Sequence, residues 1–247
     1  TRALNAAERA NKIDRTLLPA YYYLGSVYVQ TGAYDKAIEP LNTYLLYETE
    51  DAGAYAMLGE ALSKTGAYRE AVNALNQALR LDRNQVSAYL YLGTSYLRLD
   101  NLAGAEVNLR RAIEFFPDSF DANIGLTEIF YKNGTYGSAY LQAETSFSKA
   151  KTDQEKALAI YWRARSHEGR GAWGDAIKDW NSLLSFSSSA VPSEMRTEAR
   201  DHLRSIATPT RTPVGPRVSP TPTVSLTPRP GNTATPAPGL KAPTVTP

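Results

Sequence analysis

Apolar residues recur along the chain with a fixed long period. The pair Leu24-Gly25 returns 34 residues later as Leu58-Gly59, and after the same interval as Leu92-Gly93. Within each unit the apolar positions are three or four residues apart, the spacing that places side chains on one face of an α-helix. A repeat of this length is typical of a solenoid, in which each unit buries its apolar face against its neighbours.

Each repeat is predicted to be a pair of helices joined by a tight turn. In the first repeat, helices near 18–31 and 34–48 flank a turn at Gly32, because glycine permits the left-handed backbone that ends a helix. Pro40 lies early in the second helix, where it removes one hydrogen bond without breaking the helix. The later repeats are predicted at about 52–85, 86–119, 120–150 and 155–187.

The segments outside residues 18–187, which hold about five repeats, have a different composition. Residues 1–17 have the apolar spacing of a second helix alone, so a partial repeat is predicted there. Residues 188–207 are predicted to form a loop and a polar capping helix, as the last unit of a solenoid requires. Residues 208–247 hold 11 of the 15 prolines and no aromatic or acidic residue. Such a segment cannot bury enough apolar surface to fold, so an extended or disordered tail is predicted.

The order of residues within one unit resembles the tetratricopeptide repeat. That family has an aromatic residue, Leu-Gly, Tyr, then Ala, a large apolar residue and Pro. The third repeat shows this order as Tyr89, Leu92-Gly93, Tyr96, Ala105, Leu109 and Pro117. The resemblance is strong over 18–119 and looser over 120–187. It implies an all-α, right-handed superhelical solenoid of helical hairpins that binds protein partners in a concave groove, followed here by the non-helical tail.

The resemblance also suggests what the groove does not bind. The best-known groove of this family holds the C-terminal carboxylate of chaperones with Lys, Asn and Arg side chains. By spacing, the equivalent positions here are Tyr22, Ser26, Met57, Ser87 and Tyr91. None of these side chains is basic or an Asn amide, so docking of chaperone tails is disfavoured.

The predicted groove is largely apolar and carries tyrosines. Its residues, placed by the same spacing, are Tyr22, Ser26, Val29, Glu60, Leu90, Leu97, Ile124, Tyr131 and Tyr161. Aromatic grooves suit extended proline-rich peptides, whose preformed conformation lowers the ordering cost of binding. The tail of this chain or of a neighbouring copy is one such peptide. The alternative interpretation is that some of these residues are core residues.

The residues that commonly carry catalysis are scarce. The chain has no cysteine, and its two histidines, His167 and His202, belong to no metal-ligand spacing. His167 is expected to pack on a helix face and His202 to be solvated. The glycine-rich segment 169–174 lies where the other repeats have their turn, so it is interpreted as a turn and not as a phosphate-binding loop. We predict that the chain is not an enzyme and has no cofactor, metal or catalytic residue.

Charge and hydropathy point to a protein partner. The tail carries four basic residues, and the rest of the chain has 23 basic against 25 acidic residues. Neither part has the dense basic patch of a nucleic-acid-binding protein. No apolar run is long enough to span a membrane.

The tail alternates threonine with proline, a composition typical of O-glycosylated stalks or of unmodified spacers. Either alternative favours an extracellular or cell-surface protein, with a cytoplasmic location as the alternative. The candidate O-glycosylation positions are Thr208, Thr210, Thr212, Ser219, Thr221, Thr223, Ser225, Thr227, Thr233, Thr235, Thr244 and Thr246.

Two functions remain open from the sequence. The preferred hypothesis is an exported, non-catalytic interaction scaffold that self-associates head-to-tail into a fibre or surface assembly, with the tail as a packing arm. Partial repeat 1–17 would then expose an apolar face to a neighbouring subunit, and a head-to-tail contact that does not close generates a filament. The alternative is a monomeric adaptor that binds an extended heterologous peptide in its groove.

Overall fold

The computed structural model of the protein describes residues 17–207, together with Asn5 and Arg9. The predicted partial repeat therefore lies almost entirely outside the described residues. The predicted tail and all twelve candidate O-glycosylation positions lie outside them too.

Residues 17–207 form eleven α-helices and no strand, which confirms the predicted all-α solenoid of helical hairpins. The helices are α1 (Leu18–Gln30), α2 (Tyr34–Leu45), α3 (Ala52–Lys64), α4 (Tyr68–Leu81), α5 (Val86–Arg98), α6 (Leu102–Phe115), α7 (Phe120–Lys132), α8 (Tyr136–Lys149), α9 (Asp153–Gly169), α10 (Trp173–Ser185) and α11 (Ser193–Ala207). The second helix of the first hairpin ends at Leu45, three residues before its predicted end.

The first ten helices pair as five hairpins, each with a first and a second helix. Each second helix also packs against the first helix of the next hairpin, and α10 packs against α11. The first helices, α1, α3, α5, α7 and α9, contact one another in succession. They therefore form one continuous layer, whose outward side is available for a binding surface.

The turn inside each hairpin requires a left-handed residue. The φ angles are 73° at Gly32, 88° at Gly66, 72° at Gly134 and 72° at Gly171. The third hairpin has Asp100 at this position with φ of 60°, a conformation that Asp tolerates better than most residues. In all five turns the next residue donates its N–H to a carbonyl of the first helix at 2.8 to 2.9 Å.

The repeated glycine of the first helix lets the second helix approach closely. A Cβ added at Gly25 would lie 2.4 Å from Leu41 Cγ, and one added at Gly59 would lie 2.4 Å from Leu75 Cγ. The corresponding distance from Gly93 to Leu109 Cγ is 2.7 Å. Each of these leucines is fully buried. The glycine therefore has a packing role and no conformational one.

The last two hairpins have other residues at the two positions of this contact. Leu41 follows Gly25 by 16 residues, and the same interval pairs Thr127 with Ala143 and Ala164 with Trp180. All four of these side chains are buried. Where glycine is replaced by the larger Thr127, the partner is reduced to alanine. In the fifth hairpin Ala164 replaces the glycine and the partner is the larger Trp180, so this pair has a greater volume than Gly and Leu.

Glu168 of α9 contacts side chains of both α10 and the last helix, α11. Trp180 Nε1 donates to Glu168 Oε1 at 2.7 Å, and His202 Nδ1 lies 2.7 Å from Glu168 Oε2. His202 is therefore engaged and only partly exposed, contrary to the expectation of a solvated side chain. His167 is packed as expected, with its ring 4.8 Å from that of Tyr140.

Replacing Gly59 by Ala is expected to lower the free energy of unfolding by about 1–3 kcal/mol, because the added methyl group overpacks the contact with Leu75. The matched control is Gly137→Ala in α8, where an added Cβ meets no atom within 4 Å. That change is expected to leave stability unchanged or to raise it by up to about 1 kcal/mol. Urea unfolding followed by circular dichroism measures both, and equal effects would contradict the close-packing account.

Candidate functional site

The first helices of hairpins two to five line a groove with a cavity of about 410 Å³. Residues from α3, α5, α7 and α9 contribute to its surface, with Tyr68 at the start of α4. The groove therefore crosses four consecutive hairpins. A surface of this kind suits a long ligand that lies across the helices.

The floor of the groove is apolar and its walls are aromatic. Leu90, Ile124 and Leu158 are partly exposed on the floor, one each from α5, α7 and α9. The aromatic lining residues are Tyr68, Tyr91, Tyr161 and Trp162. Partly exposed apolar side chains lose contact with water when a ligand covers them, which is the main favourable term in most protein association.

Hydrogen bonds between hairpins hold the tyrosines in place. Tyr91 OH donates to Glu60 Oε1 at 2.7 Å, and Tyr161 OH donates to Glu198 Oε1 at 2.9 Å. Burial raises the pKa of both phenols; the bonded Glu60 raises that of Tyr91 further, whereas at Tyr161 the Arg165 guanidinium lowers the pKa and Glu198 raises it. Both groups therefore stay protonated at neutral pH and keep these bonds.

Arg165 connects the layer of first helices to the last helix. Its guanidinium donates to Tyr131 OH at 3.2 Å, Tyr161 OH at 2.7 Å and Glu198 Oε1 at 2.6 Å. It also lies 4.9 Å from the centre of the Tyr131 ring. This network fixes the α9 end of the groove.

Four charged residues line the groove, namely Lys64, Arg98, Asp121 and Glu128. Arg98 Nη1 lies 3.0 Å from Glu128 Oε1, and Lys132 Nζ lies 3.7 Å from the same oxygen. Lys64 Nζ lies 5.5 Å from the centre of the Tyr91 ring. Within residues 17–207, no group of three or more His, Asp or Glu side chains is arranged to hold a metal ion.

The structure brings four of the nine predicted groove residues together. Leu90, Leu97, Ile124 and Tyr161 line the groove. Of these, Leu97 is almost fully buried and belongs to the core of the third and fourth hairpins, so it supports the floor from below.

Two further predicted residues lie beside the groove and do not line it. Glu60 accepts the hydrogen bond of Tyr91, and the Tyr131 ring lies 5.4 Å from that of Trp162. Glu60 and Tyr131 therefore contact residues that line the groove, Tyr91 and Trp162.

The remaining three predicted residues lie on α1, away from the groove. The Tyr22 ring packs 5.2 Å from that of Tyr44, and Val29 packs against the core of the first two hairpins. Ser26 Oγ accepts a hydrogen bond from Gln30 Nε2 at 3.2 Å. Tyr22 and Val29 therefore agree with the alternative interpretation, in which some of the predicted groove residues are core residues, because their side chains contribute to packing.

Sequence reasoning missed Tyr68, Leu158, Trp162 and the charged residues of the groove. The repeat period could have indicated Lys64 and Arg98, because these two residues and Lys132 are separated by 34 positions each. The pairing of Arg98 with Glu128 joins residues 30 positions apart, which no local spacing indicates.

None of the described helices has the length and apolarity needed to cross a membrane.

Family models match three parts of the chain. A model described as "TPR repeat" matches residues 59–100, and two described as tetratricopeptide repeats match residues 87–119 and 18–45. A comparison with curated protein sequences found no match.

Several solved structures share the fold at low sequence identity. MamA is 21% identical with a TM-score of 0.58, over 74% of this chain and 94% of that protein. YrrB, described as a TPR protein with an unusual peptide-binding site, is 18% identical with a TM-score of 0.61, over 81% of this chain and 100% of that protein. A thermophilic TPR protein from Thermus thermophilus is 16% identical with a TM-score of 0.55, over 76% of this chain and 99% of that protein.

At these identities the likeness establishes the fold alone, while the family models identify the repeats. Residues 18–45 and 59–119 match models of the tetratricopeptide repeat, and the described residues have the fold of an all-α solenoid of helical hairpins.

Proposed function

We propose that the chain is a non-catalytic adaptor that binds an extended segment of another protein in the groove between α3 and α9. The observation that carries this proposal is the row of partly exposed apolar side chains on successive first helices, Leu90, Ile124 and Leu158. These side chains are solvent-accessible in the same layer, and a ligand crossing the helices would cover all three.

The dimensions of the groove suit a peptide. A cavity of about 410 Å³ lies within the range of small ligand pockets, and it accommodates one or two large side chains. The remaining residues of an extended segment would lie over the neighbouring helices. Binding of this kind uses an apolar anchor in the cavity and polar contacts at the rim.

The groove is preorganised for such a ligand. Ser95 Oγ donates to Ser63 Oγ at 3.1 Å between buried positions of α5 and α3, close to the bond between Tyr91 and Glu60. Walls that are already held in place need not be ordered on binding, which lowers the cost of association. The unusual peptide-binding site described for YrrB also supports a peptide ligand for a solenoid of this fold.

The positions of the histidines favour a scaffold over an enzyme. His167 packs on Tyr140 and His202 bonds to Glu168, and neither lines the groove. Neither histidine is therefore placed to act on a ligand bound in the groove.

Replacing Ile124 by Arg is expected to weaken peptide binding, because a charged side chain would occupy the apolar floor. The measurement is the recovery of binders when a displayed library of random peptides of about 12 residues, roughly 40 Å when extended, is selected on the full chain. Selected peptides are expected to bind the parent chain and to lose at least about tenfold in affinity for the variant, the effect of removing an anchor worth more than ~1.4 kcal/mol.

The matched control is Leu141→Arg. Leu141 is 65% exposed on a second helix, α8, and takes no part in the groove. It is expected to bind the selected peptides as the parent does. A library that yields no binder above background, or binders that Ile124→Arg retains and Leu141→Arg loses, would overturn the proposed function.

A second candidate function is self-association through the first hairpin. Tyr23, Leu46 and Tyr47 are all exposed there, Leu46 at 75% of its surface. Exposed large apolar side chains mark an interaction surface where they form a contiguous patch, and Leu46 and Tyr47 are neighbours in the chain. Export, filament formation and a glycosylated tail would belong to this second function.

Light scattering on the full chain is expected to give a mass above the 27.1 kDa of one chain if this second function holds. The double change Leu46→Ser and Tyr47→Ser is then expected to restore one-chain mass, because the apolar surface is removed. A truncated chain of residues 1–207 tests whether the tail contributes. A one-chain mass for the unaltered protein at all concentrations would contradict self-association.

A further inference from the structure

We propose that the segment bound in the groove is uncharged and rich in proline, and that Trp162 donates its indole N–H to one of the carbonyl groups of this segment. This inference rests on the proposed function and specifies the chemistry of its ligand. Trp162 lies on α9, where it lines the groove.

Trp162 is packed between two other aromatic rings. Its ring lies 5.3 Å from that of Tyr161 and 5.4 Å from that of Tyr131. Arg165 donates to the hydroxyl groups of both tyrosines, so both rings are anchored. A ligand therefore meets the indole in an arrangement that exists before binding, which lowers the cost of association.

The indole N–H of Trp162 is a hydrogen-bond donor that a ligand can use. It has no partner among residues 17–207, and it is accessible to solvent. By contrast, the hydroxyl groups of Tyr91 and Tyr161 are already donated to carboxylates. A donor that loses its water to a covering ligand costs free energy unless the ligand supplies an acceptor. A backbone carbonyl is the acceptor that every residue of a peptide carries.

The floor beside Trp162 sets a second condition on the ligand. Leu158 precedes Trp162 by four residues and so lies on the same face of α9, and the floor continues with Ile124 and Leu90. These side chains carry no polar atom, and the backbone groups inside a helix are bonded to one another. A peptide N–H laid over this floor would lose water without gaining an acceptor, at a cost in free energy.

Proline is the residue whose backbone meets both conditions. It has a carbonyl acceptor and no N–H, so a proline-rich segment can accept from Trp162 and leave no donor unpaired over the floor. Its ring is apolar, and proline-rich segments dock in grooves lined by aromatic side chains. Its backbone is preset in an extended conformation without internal hydrogen bonds, so little ordering is needed on binding.

The charged side chains around the groove do not select a charged ligand. Those on or beside its lining are of both signs, namely Lys64, Arg98, Lys132, Glu60, Asp100, Asp121 and Glu128. Arg98 and Lys132 both contact Glu128, and Lys132 also contacts Asp100. Because the two signs offset each other, the selective features of the groove are its apolar floor and its aromatic walls.

The first test compares two end-blocked peptides of about 12 residues, roughly 37 Å when extended as polyproline II. Each is a repeat of X-X-Gln with one central X replaced by Leu, where X is Pro in one peptide and Ala in the other. Fluorescence anisotropy measures their affinity for the full chain. The proline peptide is expected to bind at least about tenfold more tightly, because alanine restores the backbone N–H groups and the flexibility. Equal affinity, or tighter binding of the alanine peptide, would overturn the inference.

A variant of Trp162 tests the donor itself. Trp162→Phe keeps an aromatic ring and removes the N–H, so it is expected to weaken the proline peptide about fivefold, the effect of one hydrogen bond. The matched control is Trp173→Phe. Trp173 is 54% exposed on α10 and is not among the residues that line the groove, so the control is expected to bind as the parent does. Unchanged affinity for Trp162→Phe would contradict the proposed hydrogen bond.

A measurement on the unaltered chain is independent of how the variants fold. The chain has three tryptophans, whose indole N–H signals in a heteronuclear NMR spectrum are assigned with the phenylalanine variants. Adding the proline peptide is expected to shift the Trp162 signal. The signals of Trp173 and of Trp180, which already donates to Glu168 at 2.7 Å, are expected to stay in place. Binding that leaves the Trp162 signal unshifted would refute the inference.

The failure of this inference is distinguishable from that of the proposed function. If the proline peptide does not bind, while library-selected peptides bind and are weakened by Ile124→Arg, the inference is rejected and the proposed function stands. If the library selection itself yields no binder, the proposed function is rejected together with the inference.

Discussion

The contact on which the solenoid depends packs one small residue of the first helix against one large residue of the second, and four of the five hairpins have it. In three hairpins it is Gly against Leu, with so little space that a single added methyl group would clash. The fifth hairpin keeps the principle with Ala164 against Trp180. Because this contact fixes how closely the two helices of a hairpin approach, it also fixes how successive hairpins stack. Burial of the remaining apolar stripes follows from the stacking, since one hairpin cannot cover its own.

The groove is a consequence of the same stacking. Second helices pack against first helices on one side, so the other side of the layer of first helices stays open from α3 to α9. The side chains on that open side are held by hydrogen bonds that run from one hairpin to the next, such as Tyr91 to Glu60 and Arg165 to Tyr131. These bonds give the surface a fixed arrangement without closing it. A rigid, partly apolar surface suits recognition of an extended chain.

The periodicity of the sequence was sufficient to predict the helices, because a 34-residue spacing of Leu-Gly pairs has one structural solution. It also predicted Leu90, Ile124 and Tyr161 as groove positions, and the structure places all three on the lining of one cavity, since the groove repeats with the same period. It could not tell that Tyr22 packs on Tyr44, because the first hairpin is bounded differently from the others. The pairing of Arg98 with Glu128 and that of His202 with Glu168 each join side chains about one repeat apart. Their rotamers depend on packing between hairpins, which the local sequence pattern does not predict.

The central claim, that the outward side of the first helices is the binding surface, is tested most directly by methyl NMR of the full chain. Methyl spectra would be recorded with and without a peptide selected from the random library. The methyl groups of Leu90, Ile124 and Leu158 are predicted to shift on binding, and those of Val107 and Leu141, exposed on second helices, are predicted not to. Shifts confined to Val107 and Leu141, with the floor of the groove unchanged, would contradict the account.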